Sequence, residues 1–451
     1  MDGESCKVCQ KGRIVIVVHM SISQFVHVVE SLFPKTVVDK YRKLKWQMHI
    51  QKRRLNYSRK IYELRKENRP INVLFFALDS NTWKYDSVFQ AMQKDPMFSP
   101  MVLAVPQVNK GKDFMLYQLK HGCEYYESKG YPTVCSYKKE TNSFVDAFSL
   151  HPDIIFFSNP YDGLVDDRYN IRHYYKKCLT CYVNYTYCSV PYQWQCASMF
   201  HQTVWRYFVE CEDNMEQVKE YYSGGNCAVT GYPGLDLFAL TVETGKDWKL
   251  KDKNLKKVIW APHHTIEGNT QLIQFSTFLL YSDFMLKLAE EYRDVIQFAF
   301  KPHPLLLPAL YAHPDWGKKK TDAYYDKWAK GTNTVFVNGD YIDLFKSSDA
   351  MIHDCGSFII EYLYVNKPVM FLGTYDRESQ SNVVGKKAYA CHYEGKTEED
   401  IKHFIEDVVI GGKDSMSEKR MRFYHEQIKS FNGLSVADNI LSDIKKQIYN
   451  D

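Results

Sequence analysis

From residue 70 onward, short apolar runs alternate with longer stretches whose apolar positions recur at helical spacing. The run at 72–78 (NVLFFAL) is apolar throughout, the mark of a strand buried on both faces. The pattern then predicts a helix at 83–94, a strand at 101–105, a helix at 112–129 and strands at 154–157 and 179–183. A helix near 215–222 leads to a strand at 227–230. Gly231-Tyr232-Pro233-Gly234 breaks the chain, and the polar stretch 244–257 (TGKDWKLKDKNLKK) reads as a linker. A second alternating run opens at 258–261. It continues with a helix at 275–292, strands at 295–300, 334–337, 350–353 and 368–372, and closing helices at 398–409, 418–430 and 436–448. Strands alternating with helices make parallel βαβ units. Two such runs imply an α/β chain of two Rossmann-like domains facing a cleft.

The N-terminal part is different. Residues 35–69 carry no Gly or Pro between Lys35 and Arg69. Val37, Tyr41, Leu44, Met48, Leu55 and Tyr62 recur at spacings of 4, 3, 4, 7 and 7, a seam on one face of a long helix. The whole chain has a formal net charge of +4, yet residues 35–70 alone hold a local +10, leaving the remainder at −6. Such a helix is either a solvated element packed on the body, or one lying near anionic lipid headgroups. No recognised nucleic-acid module follows it, so nucleic acid is not expected as a partner. The preceding apolar stretch 14–33 contains His19, Gln24, His27 and Glu30, too polar for a membrane span. The expected division is therefore 1–69, an apolar segment and basic helix; 70–243, the N-terminal Rossmann-like domain; 257–430, the C-terminal one; and 431–451, a last helix.

At 451 residues with 45% hydrophobic content, the chain has ample material for such cores. Its twelve cysteines show no small-domain framework and no secretory leader is visible, which reads as free thiols in a reducing cytosol. Cys6/Cys9 and Cys178/Cys181 form two CxxC pairs that together could bind zinc, but they lie far apart in sequence, and no metal is expected. GxGxxG after a strand, GxxxxGK[ST], D-x-D and GxSxG are all absent, so no dinucleotide or other cofactor is expected.

Three loops carry candidate chemistry, each placed just after a predicted strand, where ligands of open α/β sheets bind. The first is Asp354-Cys355-Gly356-Ser357, between the strand at 350–353 and a short helix. Gly356 permits close approach, and the free N–H groups of Gly356, Ser357 and Phe358 would face an anion. Glu361, one turn on, would meet a ribose there. The alternative is that Ser357 merely caps the helix and Glu361 is a solvated charge. The second loop is Lys301-Pro302-His303-Pro304, in which two prolines fix the imidazole. The third is Pro262-His263-His264-Thr265.

Together, Gly231-Tyr232-Pro233, Ala261-Pro262, Lys301-Pro302-His303-Pro304 and the stretch from Ser348-Asp349 to Pro368 resemble the CDP-glycerol glycerophosphotransferase family, teichoic-acid and capsule polymerases of GT-B fold. In that family a (R/K)PHP loop and an S-D-x-x-x-x-D-x-x-S block precede a helix bearing an acid. The matching positions here are His303; Ser348, Asp349, Asp354 and Ser357; and Glu361. The resemblance implies that His303 contacts the transferring phosphate, with Lys301 beside it. It further implies that Asp354, Cys355, Gly356 and Ser357 form the pyrophosphate loop and that Glu361 holds the ribose. The family's W-H-G-T loop, which supplies a candidate base, has no counterpart in Cys181–Val190; His201 is the nearest imidazole downstream, and His263 and His264 are the other candidates. Gly356 replaces the first Ser of the family's D-Y-S-S.

The implied activity is transfer of glycerol phosphate, or a related alditol phosphate, from a CDP-alcohol to an acceptor hydroxyl, with release of CMP. The acceptor would be a polyol phosphate or glycan, free or lipid-linked. The implied location is cytoplasmic, peripheral at the inner face of the plasma membrane through residues 35–69. A nucleotide-sugar glycosyltransferase or epimerase of the same fold, or a non-catalytic nucleotide-binding chain, are the alternatives.

Overall fold

A computed structural model describes residues 9–10, 13–14, 35–67, 69–252, 254–266, 276–373, 378–429 and 432–449. Cys6 and most of the apolar stretch 14–33 lie outside the described residues. The chain divides into two units, residues 1–55 and 56–451.

A helix at Lys35–Lys66 runs through the boundary between these units. The apolar seam read from its spacing does not face a core: the side chains of Val37, Leu44, Met48, Leu55 and Tyr62 are exposed. In residues 56–66 the buried stripe is instead Tyr57 and Leu64, with Ile61 packed beside them. The Tyr57 hydroxyl bonds Thr180 Oγ1 at 2.6 Å and donates to the Thr203 carbonyl at 2.9 Å. Lys60 and Arg69 both pair with the buried Asp153. A helix with apolar residues on two faces gives two stripes of similar spacing, and the stripe whose hydroxyl and ammonium groups find buried partners is the one that packs.

The larger unit is built on two parallel sheets. The first comprises β1 (Ile71–Ala77), β2 (Phe98–Ala104), β3 (Thr133–Cys135), β4 (Ile154–Phe157), β5 (Leu179–Val183), β6 (Arg206–Val209) and β7 (Cys227–Val229). Its spatial order is β7-β6-β5-β4-β1-β2-β3. The second comprises β8 (Lys256–Ala261), β9 (Ile296–Phe300), β10 (Thr334–Phe336), β11 (Ala350–His353), β12 (Val369–Leu372) and β13 (Tyr393–Gly395), in the order β10-β9-β8-β11-β12-β13. Both have the 3-2-1-4-5-6 progression of a doubly wound sheet. The order therefore reverses beside β1 and β4 in one sheet, and beside β8 and β11 in the other. Strands such as Ile154–Phe157 and Ala350–His353 are buried at every position, as their unbroken apolar runs predict.

The last helix, Val436–Tyr449, packs on the core of the first sheet through Val436, Ile440, Ile444 and Ile448. Asp236 accepts from the backbone N–H groups of Val436 and Ala437, satisfying two donors of its first turn. Arg206 forms a bidentate pair with Asp443. Gly231 has φ +94°, and a Cβ there would lie 2.8 Å from Val436 Cγ2, so glycine permits both the turn and the approach of this helix. The expected linker is pinned to the second half: Asp343 accepts from the N–H groups of Thr244, Gly245 and Lys246, and the Trp248 indole donates to Ser347 Oγ.

The thiol expectation needs one correction. Cys123 and Cys135 form a disulfide, because the helix Lys112–Ser128 brings its Cys123 against β3 with a Cα separation of 6.1 Å. Cys178 and Cys181 sit buried at β5, where Cys178 Sγ donates to the Pro152 carbonyl. Burial pushes the Cys178 thiol up to about 12 and raises that of Cys181, the reverse of what zinc thiolates need. Among the described residues no helix is long and apolar enough to cross a membrane.

Candidate functional site

β8 pairs with β9 on one side and β11 on the other, so the loops leaving their carboxyl ends are neighbours at the switch point of the second sheet. These are the three loops singled out from sequence. The backbone joins two of them: His303 N–H donates to the Pro262 carbonyl at 2.9 Å. The rings of His263, His264 and His303 consequently cluster, with centroids 4.2, 4.7 and 4.1 Å apart.

Hydrogen bonds fix the tautomers of two of the three. Leu305 N–H donates to His303 Nδ1 at 3.1 Å, and Thr265 N–H donates to His263 Nδ1 at 3.3 Å. In each neutral ring the proton is thereby assigned to Nε2, which becomes a hydrogen-bond donor to whatever enters the cluster. Burial lowers the His303 pKa to about 3, helped by His264 and Lys301, and that of His264 to about 4, helped by Lys110. Lys301 is itself buried, and desolvation lowers its pKa too.

Donor nitrogens of the three histidines lie within 4.8 Å of one another, near enough to close on a metal ion. The two lysines acting on them nevertheless make the surroundings cationic. That field favours an anion with several oxygens, which would relieve the repulsion between these groups.

The turn after β11 divides into supporting and open parts. Asp354 is buried and already engaged. It accepts from His263 N–H, and from Thr277 N–H and Oγ1, so it holds the histidine loop in place. Cys355, also buried, donates from Sγ to the Ala261 carbonyl at 3.2 Å. Gly356 and Ser357 are partly exposed, and Ser357 makes no side-chain cap to the short helix Phe358–Glu361. The capping reading of Ser357 therefore has no bond behind it.

Glu361 is not a solvated charge. It is 2% exposed and accepts from two tyrosine hydroxyls, Tyr232 at 3.2 Å and Tyr341. Lys84, from beyond β1 of the first sheet, donates to Tyr341 Oη at 3.1 Å. The carboxylate thus lies where both sheets meet the cleft.

The structure does not bring His201 to this group. It is fully buried on the helix Met199–Thr203, where Nδ1 accepts from Ser198 N–H and its ring packs on Tyr182 and Tyr207. Burial lowers its pKa to about 3. Lys84, Lys110, Tyr232 and Tyr341 are site residues that reading by loops missed. Tyr232 lay inside a quoted motif, and Lys110 sits in the basic run Asn109-Lys110-Gly111-Lys112 just beyond β2, at a strand's carboxyl end.

Two facing doubly wound sheets, a last helix returning to the first, and a site at the switch point of the second define a protein of the GT-B class. Solved structures share this fold. The wall teichoic acid polymerase TagF matches with a TM-score of 0.55 at 14% identity, over 95% of this chain and 99% of that one. TagF soaked with CDPG gives 0.53 at 15% identity, over 91% and 99%. A UDP-N-acetylglucosamine 2-epimerase from Listeria monocytogenes gives 0.56 at 16% identity, over 85% and 98%. No curated protein matches the sequence. The sequence model of the CDP-glycerol:poly(glycerophosphate) glycerophosphotransferase family covers residues 202–444, more than half of the chain, and the chain belongs to that family. It is an enzyme of the glycerophosphotransferase type.

Proposed function

We propose that this chain moves glycerol phosphate, or a related alditol phosphate, from a CDP-alcohol to an acceptor hydroxyl in the building of teichoic acid or a capsule polymer. The observation that carries this reading is the cluster of His263, His264, His303 and Lys301 at the switch point. It offers two assigned N–H donors, a neutral ring and a buried cation to one multiply charged group. The pyrophosphate of the donor meets Gly356 and Ser357, and the ribose diol replaces the tyrosine hydroxyls on Glu361. Asp354 and Cys355 shape the loops around it.

In the transfer, the acceptor oxygen attacks the β-phosphorus and forms the new O–P bond. The bond from that phosphorus to the bridging oxygen breaks, and CMP leaves with the oxygen and the electron pair. The acceptor's proton passes to His264, a ring that is neutral in the free enzyme and that the negative charge of the bound diphosphate makes more basic for that step. His303 and His263 donate through Nε2–H to the non-bridging oxygens, and Lys301 balances their charge. Such transfer depends on positioning and electrostatic stabilisation more than on covalent help.

The basic helix carries the second half of the proposal, association with an anionic membrane surface at the cytoplasmic face. Its support is the local charge of +10 beside the exposed Val37, Leu44, Met48, Leu55 and Tyr62. The donor reading is tested by calorimetry with CDP-glycerol, CDP-ribitol and UDP-N-acetylglucosamine. Binding of a CDP-alcohol at least tenfold tighter than of the UDP-sugar is expected. The reverse preference would make the chain a nucleotide-sugar enzyme.

A further inference from the structure

The first sheet presents an aromatic surface that the donor chemistry does not use. Trp194, in the short helix Gln193–Cys196 that follows β5, is 53% exposed. The other tryptophans whose side chains are described are buried or half-buried. Its ring stacks on Tyr192 with centroids 5.8 Å apart and planes 11° from parallel, and lies 6.1 Å from the ring of Tyr161. The hydroxyls of Tyr161 and Tyr185 bond each other at 3.1 Å. Asn159, Tyr161 and Asp162 also border a cavity of about 20 Å³, room for a hydroxyl or a single water.

This surface is continuous with the donor site. The Tyr232 hydroxyl lies 3.2 Å from both the Tyr185 carbonyl and Glu361 Oε1 and shares its one proton between them, so it links the aromatic group to the donor loop. Tyr161 follows β4 and Tyr185 follows β5, at the carboxyl ends of strands facing the cleft.

We infer that Tyr161, Tyr185, Tyr192 and Trp194 form the acceptor subsite, and that it takes the pyranose ring of a glycan rather than a polyol phosphate chain. The inference rests on the donor reading above and gives it an acceptor. Flat aromatic faces match the C–H face of a sugar ring, and hydroxyl and amide groups at their edge match its hydroxyls. A polyanionic chain would call for cations instead. Arg172, which acts on Asp162 at the edge of this surface, pairs with Asp167.

The test uses the full chain with methyl glycosides of neutral and N-acetylated hexoses and their disaccharides, and a glycerol phosphate oligomer. Acrylamide quenching of tryptophan fluorescence reads the exposed Trp194, with the Trp194→Phe variant giving the baseline of the other tryptophans, so a bound sugar reduces the difference between the two. At least one glycoside is expected to protect and to accelerate CMP release from CDP-glycerol, while the oligomer does neither. Trp194→Ala should raise the KM for that glycoside about tenfold or more, with Trp194→Phe restoring much of it and the calorimetric Kd for CDP-glycerol unchanged. Tyr161→Phe, which removes one hydroxyl and no ring, should raise that KM severalfold. Protection by the oligomer alone, protection by no glycoside, or an unchanged KM in Trp194→Ala would overturn the inference. Absence of CDP-glycerol binding in the wild type would instead overturn the donor reading, and sugar protection would still be measurable.

Discussion

Replacing His303 by alanine isolates one hydrogen bond in the proposed transition state. The loop should survive the change. Pro302 and Pro304 restrict the backbone, and the bond from His303 N–H to the Pro262 carbonyl does not involve the side chain. The substitution removes the acceptor for Leu305 N–H, which is exposed enough for water to replace it, and the ring contacts with His263 and His264. The stability cost is then ~1–2 kcal/mol. The functional cost is larger, because Nε2–H points to where charge grows on the phosphate oxygens. Losing one such preorganised donor typically lowers kcat ~10²–10³-fold. The expected result is that fall in kcat for CMP release, with the Kd for CDP changed less than threefold and the melting temperature within a few degrees. His303→Gln, which keeps a side-chain N–H, should recover part of the loss. Because the free-enzyme ring titrates at about 3, the wild-type kcat/KM should show no acid limb from this residue near pH 6.5. A folded His303→Ala enzyme turning over within threefold of the wild type would refute the assignment. So would a variant whose only defect is a lowered melting temperature.

Three further outcomes follow from the same geometry. His201 is held neutral down to about pH 3, so the unfolded chain binds its proton first and the fold loses ~2 kcal/mol from this group between pH 6.5 and pH 5. His264, His303 and His392 carry like shifts, so His201→Asn, whose amide oxygen can replace Nδ1 as acceptor for Ser198, should shrink the total pH dependence in urea unfolding by about that amount; an unaltered pH dependence contradicts the burial argument. Tyr341→Phe frees one side of Glu361 and should tighten CDP binding about tenfold, the worth of one hydrogen bond to a charged acceptor, whereas unchanged or weaker binding would remove Glu361 from the ribose site. Neutralising Lys43, Lys45, Lys52 and Arg54 to Gln should abolish sedimentation with anionic vesicles, which should already weaken as salt shortens the Debye length to less than ~8 Å. Vesicle binding indifferent to both changes would exclude an electrostatic surface.

Much of the fold could be read from the chain because its central strands are apolar on both faces and stand out from the polar loops that follow them. Ile154–Phe157, Leu179–Val183 and Ala350–His353 have the bounds that the pattern predicts. β6 escaped because it opens on Arg206, whose charge is balanced by Asp443, 237 residues away. The helix Gly317–Lys330 escaped behind its lysines, although Thr321, Tyr324, Tyr325 and Trp328 mark a buried stripe at spacings of 3, 1 and 3. Spacing on the basic helix shows that an apolar stripe exists and not whether anything covers it, and Val37, Leu44, Met48, Leu55 and Tyr62 are exposed.

At the site, each loop was legible from its place after a strand. What the loops do to one another was not. The tautomers of His263 and His303 depend on backbone N–H groups two residues on, Asp354 serves the histidine loop from 91 positions away, and Glu361 is covered by Tyr232 and Tyr341. These contacts come from strand order, which the sequence pattern left open.

The central claim concerns which bond of the donor breaks, and the nucleotide product reports it. Purified chain is incubated with CDP-glycerol and the best glycoside acceptor, and the products are resolved by anion exchange and phosphorus NMR. Attack at the β-phosphorus gives CMP and a glycoside carrying glycerol phosphate in equal amounts, both lost together in His303→Ala. Release of CDP with transfer of a group lacking phosphate, or release of UDP from UDP-N-acetylglucosamine with CDP-glycerol left intact, would contradict the account.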